Sequence, residues 1–337
     1  MAEAGKDITF LYLSQSDVRA TGADMKLALQ AVEEAFRLHH RGEVVLPHKT
    51  VLDMDERRRG RGNAMPAYVG GSYHCFGIKW IAGFPGNPER YGLPRATGLT
   101  VLNDADKGIP LAVMDCTFLS ALRTGAVTGV GAKVLARPDS TALAMIGAGV
   151  QARTQLEALQ AVLPGLKEVR AFDIRAQAAE AFAEEARTRF GLQARAVAEP
   201  EQAVRGADVV VTVTVADEPI VKEAWMKPGS FFAAVGSYQE EEFEVVSRSD
   251  LVVVDGLEHV LHRETPVIAL MIQRGLLARE RVLELGAILC GDRPGRSSPA
   301  QRVFFSPIGM AVEDICLAQE VYRLAVKRGI GTRLGLF

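Results

Sequence analysis

Residues 142–152, ALAMIGAGVQA, constrain the fold more than any other stretch of this 337-residue chain. Small and apolar residues run into Gly147-Ala148-Gly149, and Ala152 follows three positions later. Such a stretch reads as a buried parallel strand, a tight glycine turn and the first turn of a helix. A glycine at the turn takes backbone torsions closed to other residues. A second glycine lets a pyrophosphate approach the main chain, and a small third residue lets helix and strand pack closely. The helix start then offers free N–H groups and a partial positive charge. A lone G-x-G-x-x-A is a weak signal, since a plain strand–helix turn looks the same. Residues 169–173, VRAFD, strengthen it. They read as a second strand ending in an acid, and Asp173 lies 24 residues after Gly149. A spacing of roughly 20 is expected for a carboxylate on the adenosine ribose. The pair points to a dinucleotide. Asp173 favours NAD because a carboxylate repels a 2′-phosphate, while Arg175 leaves NADP open.

The pattern around this turn extends the reading. Strands at 208–213, 231–235 and 251–254 follow, with helices at 150–162, 177–189 and near 200–205 between the early strands. Apolar runs such as DVVVTVT and DLVVVD argue for a parallel sheet covered on both faces. Residues 118–136, 266–274 and 279–289 read as helices, and a last helix starts at Gly309 and ends at Gly329. Residues 44–115 differ. Runs at 44–52, 64–69, 75–82, 99–102 and 111–114 read as strands with no useful helix between them, and Asn103–Gly108 reads as a hairpin turn. A short strand at 8–13 and a cap at Ser16-Asp17 precede an amphipathic helix with Met25, Leu29, Val32 and Phe36 on one face. His39 and His40 suit the negative end of that helix. The expected architecture is α/β. A Rossmann dinucleotide-binding domain covers 118–314. An antiparallel-sheet domain for substrate binding and dimerisation covers 1–117 and is completed by 315–337.

Composition removes several classes of function. A formal charge of −2 leaves no basic footprint for nucleic acid. The run Arg57-Arg58-Arg59-Gly60-Arg61 reads as a solvated turn. Cys75, Cys116, Cys290 and Cys316 are far apart without a C-x-x-C, which fits a reducing, cytoplasmic setting and no zinc. No apolar run reaches membrane-spanning length, and the first residues lack the apolar core of a signal peptide. His259 and His262 are a helical turn apart with no evident third ligand, so no metal site is expected.

Four cations in the first half are candidates for holding carboxylates: Lys49, Lys79 inside the apolar strand FGIKWIA, Arg95 in a Gly/Pro-rich loop, and Arg123 in an apolar helix. The pattern alone leaves a second reading open. Lys79, between Ile78 and Trp80, equally fits a side chain alternating outward to solvent, and a loop arginine is usually solvated.

The segments PHKTVL (47–52), MPAY (65–68), IKW (78–80), ALRTGAVTGVGAKVLAR (121–137), MIGAGVQA (145–152), ADVVVTVT (207–214), KPG (227–229), AVG (234–236) and SPIGMAVED (306–314) resemble the ornithine cyclodeaminase/μ-crystallin family, in order and over nearly the whole chain. The resemblance implies a homodimer built on the antiparallel sheet, an NAD(P) domain, and a substrate held between the domains. It places the substrate's α-carboxylate on Lys49, Lys79 and Arg123, with Met65 and Arg95 as further substrate contacts. It places the cofactor on Thr124, Gly147, Gly149, Val150, Gln151, Asp173, Arg175, Thr212, Val213, Thr214, Val235, Ser306, Gly309 and Met310. Thr124 faces the pyrophosphate, and Ser306 to Met310 line the nicotinamide.

One departure matters. Cyclodeaminases carry an aspartate two residues after the glycine that is Gly236 here, and this chain has Tyr238. A phenol with an ordinary pKa near 10 replaces a carboxylate poorly. The nearby Glu240, Glu241 and Glu242 read as an exposed loop. The stretches 78–104, HVLHRETP (259–266), GDRPGR (291–296) and FFSPIGMAVEDI (304–315) are instead similar to the family's diaminopropionate-forming dehydrogenases, which serve siderophore and antibiotic biosynthesis. Those enzymes oxidise N-(2-amino-2-carboxyethyl)-L-glutamate with NAD to 2,3-diaminopropionate and 2-oxoglutarate. Three carboxylates on such a substrate would occupy more cations, Arg95 among them. Lys79 and Arg123 are the catalytic candidates, with Lys79 as base or as carboxylate ligand. The alternatives are an NAD(P)H-dependent imine reductase, ornithine cyclodeamination, and a nucleotide-binding protein without turnover.

Overall fold

A computed structural model describes residues 7–54, 60–216, 218–236 and 238–337. In chain order its elements are β1 (Thr9–Leu13), α1 (Gln15–Ala20), α2 (Met25–His40), β2 (Val44–Val45), β3 (Thr50–Asp53), β4 (Arg61–Val69), β5 (Cys75–Gly83), α3 (Asn87–Tyr91), β6 (Ala96–Asp104), β7 (Pro110–Asp115), α4 (Thr117–Leu135), β8 (Ala142–Ile146), α5 (Val150–Val162), β9 (Glu168–Phe172), α6 (Ala176–Phe190), β10 (Gln193–Ala196), α7 (Pro200–Val204), β11 (Val209–Thr212), β12 (Phe231–Ala234), α8 (Phe243–Ser247), β13 (Leu251–Val254), α9 (Leu257–Arg263), α10 (Val267–Gln273), β14 (Val282–Glu284), α11 (Leu285–Cys290), β15 (Val303–Ser306), α12 (Ala311–Arg328) and β16 (Thr332–Gly335). The chain divides into two compact units, 1–123 with 310–337, and 124–309. The crossing points fall inside α4 and just before α12.

The first unit carries a sheet in the order β16-β1-β7-β6-β5-β4-β2, with β3 also paired to β4. The strands of 44–115, β2 to β7, pair antiparallel as their pattern leads one to expect, and β1 joins the sheet parallel to β7. The two strands are far apart in sequence, so no tight turn forces them to be antiparallel. The long helices α2 and α12 pack on each other, and α12 lies against β4, β5 and β6. The buried side chains of α2, Ala28, Ala31, Val32, Ala35 and Phe36 among them, recur at helical spacing. Its N-cap is Asp24, which accepts from Leu27 N at 2.9 Å. The expected cap at Ser16-Asp17 is displaced: Ser14 and Asp17 form a capping box on the short α1.

The second unit is an all-parallel sheet in the order β10-β9-β8-β11-β12-β15-β13-β14. β8, β11 and β12 are buried at every residue, which is why they read as continuous apolar runs. The order reverses between β8 and β11, since β9 and β10 extend one way and β12 the other. Such a reversal leaves a crevice at the carboxyl ends of the two strands. The expected helix over 279–289 is not one element. A 3₁₀ turn, Arg279–Arg281, leads into β14, which pairs with β13, and only then into α11. Pairing at the sheet edge overrides local helix preference there.

Candidate active site

The glycine turn sits at that reversal. Gly147 follows β8 with φ +94°, and a Cβ on it would lie 2.9 Å from the carbonyl oxygen of Val213, at the end of β11. Only glycine fits. Gly149 is the N-cap of α5 and has no side-chain cap, and a Cβ there would meet nothing within 4 Å. The approach to the first N–H groups of α5 is therefore open, as a diphosphate requires. Ala152 is fully buried beneath the turn. Val150, Ile174 and Val215 are exposed apolar residues beside the carboxyl ends of β8, β9 and β11. Their exposure suits an adenine ring. These features fit a dinucleotide.

Carboxylates hold the loops of this rim. Asp173 accepts from Ala148 N and Arg175 N, both at 2.9 Å, while the Arg175 side chain is mostly exposed. Glu240 accepts from Thr214 N at 2.6 Å and Gly236 N at 2.9 Å, joining the ends of β11 and β12. A Cβ on Gly236 would fall 2.0 Å from that carboxylate, so a larger residue there would have to displace the Glu240 side chain. Burial raises the Glu240 pKa, against the pull of these N–H groups. Glu241 is fully buried, and its carboxyl has no hydrogen-bond partner among the described residues. Burial, then the neighbouring Glu240, pushes it well above the carboxylate range. The expectation that these acids form an exposed loop is wrong for both, and Glu242 is half-buried. Asp255, after β13, accepts from Gly256 N, Ile308 N and Gly309 N. Thr212, Val213, Thr214, Val235, Ser306 and Gly309 thus all stand at carboxyl ends of parallel strands. Thr124 lies on α4, where its carbonyl accepts from Gln155 Nε2 at 3.2 Å.

The first unit brings together a different cluster. Met65, Lys79, Thr100 and Met114 are consecutive register partners across β4, β5, β6 and β7, and all are buried. Lys79 is 1 % exposed, so it faces inward and its neighbour Trp80 takes the solvent side. The outward reading of Lys79 is corrected. Its Nζ donates to Asp314 Oδ2 at 2.7 Å and to Ser120 Oγ at 3.3 Å. Arg123 donates from Nε to Asp314 Oδ1 at 3.1 Å and from Nη1 to Glu313 Oε2 at 2.8 Å. Glu313 also accepts from Met310 N at 3.0 Å. Two cations and two carboxylates therefore share one buried network. Burial lowers the Lys79 pKa first, the Arg123 charge lowers it further, and Asp314 opposes both.

The model of the ornithine cyclodeaminase/mu-crystallin family matches residues 11–329. The chain belongs to this family. An alanine dehydrogenase of Archaeoglobus fulgidus is 37% identical over 97% of this chain and 98% of its own length. The solved archaeal alanine dehydrogenase dimer with bound NAD has a TM-score of 0.90 at 35% identity, covering 98% of this chain and 100% of that one. The N-((2S)-2-amino-2-carboxyethyl)-L-glutamate dehydrogenase of Staphylococcus aureus is 32% identical, over 97% of this chain and 98% of its own length. The Δ1-pyrroline-2-carboxylate reductase of Thermococcus litoralis, solved with NADH and L-proline, has a TM-score of 0.90 at 34% identity, covering 96% and 99%.

Lys49, Arg95 and Tyr238 lie outside the regular elements. Lys49 lies just before β3, at the level of Met65, and is half-buried. Arg95 is exposed immediately before β6. Tyr238 is 37 % exposed. The basic run at 57–59 lies outside the described residues. No group of His, Cys, Asp and Glu among the described residues has the arrangement of a metal site, and no described helix is long and apolar enough to cross a membrane. Sequence reasoning missed Asp314 and Glu313, although both end the quoted segment SPIGMAVED. Two adjacent acids in an otherwise apolar first helical turn were the available signal.

Proposed function

We propose that this chain is an NAD-dependent oxidoreductase acting on the CH–NH group of an amino acid, with N-(2-amino-2-carboxyethyl)-L-glutamate as substrate. The observation that carries the reaction class is the buried Lys79, bonded to Asp314 and set beside Arg123. NAD, when bound, would supply the acceptor for the hydride of the glutamate Cα. The substrate nitrogen must be neutral first, and Lys79, with its ammonium form disfavoured, accepts that proton at Nζ. Arg123, oriented by Glu313 and Asp314, meets the α-carboxylate. Water then adds to the substrate imine, and the carbinolamine splits. The overall change is substrate, NAD and water to 2,3-diaminopropionate, 2-oxoglutarate, NADH and a proton. Lys49 and Arg95 supply positive charge for the remaining carboxylates. The Staphylococcus aureus relative supports the substrate, and Asp173 supports NAD over NADP.

The Thermococcus litoralis reductase and the Archaeoglobus fulgidus dehydrogenase favour a second reading, in which an imine such as Δ1-pyrroline-2-carboxylate is reduced or alanine is oxidised. Tyr238 in place of an aspartate speaks against ornithine cyclodeamination. The archaeal dimer and the outward-facing Trp80, Leu99 and Leu52 on the first unit's sheet support a homodimer. Nicotinamide fluorescence tests the reading. The glutamate conjugate should give NADH faster than alanine does, and kcat/KM should be higher with NAD than with NADP. Faster turnover of a cyclic imine or of alanine would transfer the assignment to the second reading. Cofactor binding with no turnover of any of these would indicate a non-catalytic nucleotide binder.

A further inference from the structure

Three backbone N–H groups converge on one side chain at the carboxyl end of the second unit's sheet. Asp255 directly follows β13 and is 1 % exposed. Its Oδ2 accepts from Ile308 N at 2.8 Å and Gly309 N at 2.6 Å, and its Oδ1 accepts from Gly256 N at 2.9 Å. β13 and β15 are neighbouring parallel strands, with Val254 opposite Ser306. The chain leaving β15 runs Ser306-Pro307-Ile308-Gly309. Pro307 has no N–H, and Gly309 turns the chain with φ +77°. A glycine in that position is otherwise free to take many conformations, and its own buried N–H and the partly buried N–H of Ile308 need an acceptor.

We propose that Asp255 is a positioning residue of the cofactor site, fixing the Ser306–Gly309 turn in the one conformation that meets the dinucleotide. It acts through the backbone and not by contact. A carboxylate suits this task because both its oxygens accept. An asparagine has one oxygen, and its NH2 would face either Gly256 N–H or the Ile308 and Gly309 N–H groups, donor against donor. The inference rests on the dinucleotide reading of this rim.

Asp208 supplies a control from the same sheet. It is also a buried carboxylate accepting two backbone N–H groups, from Thr141 at 2.8 Å and Ala142 at 3.0 Å. Those bonds lie at the amino ends of β8 and β11, away from the glycine turn. Asp208 also accepts from Lys227 Nζ at 2.6 Å, so its replacement should disturb that end of the sheet, away from the rim.

The experiment compares full-length wild type, D255N and D208N by NADH fluorescence titration and by melting without cofactor. D255N should weaken NADH binding by about tenfold or more, as expected when a buried N–H loses its acceptor. D208N should lower the melting temperature and leave NADH affinity near wild type. Equal affinity in D255N and wild type, or equal losses in both variants, overturns the proposal. Should D255N fail to fold, amide exchange on wild type decides. The Ile308 and Gly309 amides should be protected without cofactor, and exchange at exposed-loop rates overturns the assignment. Wild type binding neither NADH nor NADPH refutes the dinucleotide reading, and the proposal falls with it. An affinity unchanged by D255N in a wild type that binds refutes the role of Asp255 alone.

Discussion

Lys79 shows what a single position can hide. In FGIKWIA the alternation has two phases, and the sequence cannot say which face meets the core. Burying Trp80 would leave Lys79 in water. The structure takes the other phase because Asp314 and Ser120 receive the ammonium, and a buried charge is tolerated only when paired and hydrogen-bonded. Asp314 lies 235 residues further on, so no local pattern announces the pair. A test of function follows from the sign of its effect. Asp314 holds the Lys79 pKa up, while burial and Arg123 hold it down. Asp314→Asn keeps a hydrogen-bonding oxygen but removes the charge, so Lys79 should fall further and be neutral at lower pH. If Lys79 is the base, the acid limb of the kcat/KM profile moves to lower pH in this variant. Lys79→Met should lose about 10²-fold or more in kcat, the usual range for a positioned base. Near-normal turnover in Lys79→Met, or an unmoved acid limb in Asp314→Asn, removes the catalytic assignment.

At the scale of elements, the glycine turn and its neighbours were legible because their signals are local. A strand buried on both faces must be apolar throughout, and a turn at φ +94° must be glycine. β10 (QARA) and β14 (VLE) are too short and too polar to show a strand pattern, and β15 (VFFS) shows its strand only through pairing with β12 and β13. The contact between α4 and α5 was also hidden. Gly125 on α4 sits so close to α5 that a Cβ would lie 2.3 Å from the Thr154 carbonyl oxygen. Helix propensity alone favours alanine over glycine by about 1 kcal/mol. The clash is with backbone, which cannot swing aside, and overpacking of this kind costs about 1–3 kcal/mol. Gly125→Ala should therefore lower stability despite the better helix former, with an earlier urea midpoint. A later midpoint would show that the two helices separate without cost. Gly125 adjoins Thr124, so cofactor affinity should weaken in the same variant.

For the molecule as a whole, the sequence shows a change of pattern near residue 118, from closely spaced strands to alternating strands and helices, but it does not show the buried acids. Glu240 and Glu241 sit in a polar run, SYQEEEF, that any composition rule assigns to a surface. Their burial makes overall stability depend on pH with a definite sign. A carboxyl whose folded pKa lies above its unfolded value binds its proton more tightly when folded. Its contribution is most favourable below the unfolded value of 4.5 and is lost as pH rises towards the folded one. Glu240 and Asp255 are shifted the same way. Lys79 acts oppositely in a separate window. Its folded pKa lies below 10.5, so stability rises with pH between the folded value and 10.5. Glu241 isolates one such linkage because its carboxyl has no described hydrogen-bond partner. Glu241→Gln keeps the shape and cannot ionise. Wild type and variant should match in urea unfolding near pH 4.5, and the variant should gain as pH rises, by up to about 1.4 kcal/mol per pH unit inside the window. A difference that stays constant from pH 4.5 to 8 would falsify the shift, because only a solvated carboxyl titrates in the folded chain as it does in the unfolded one.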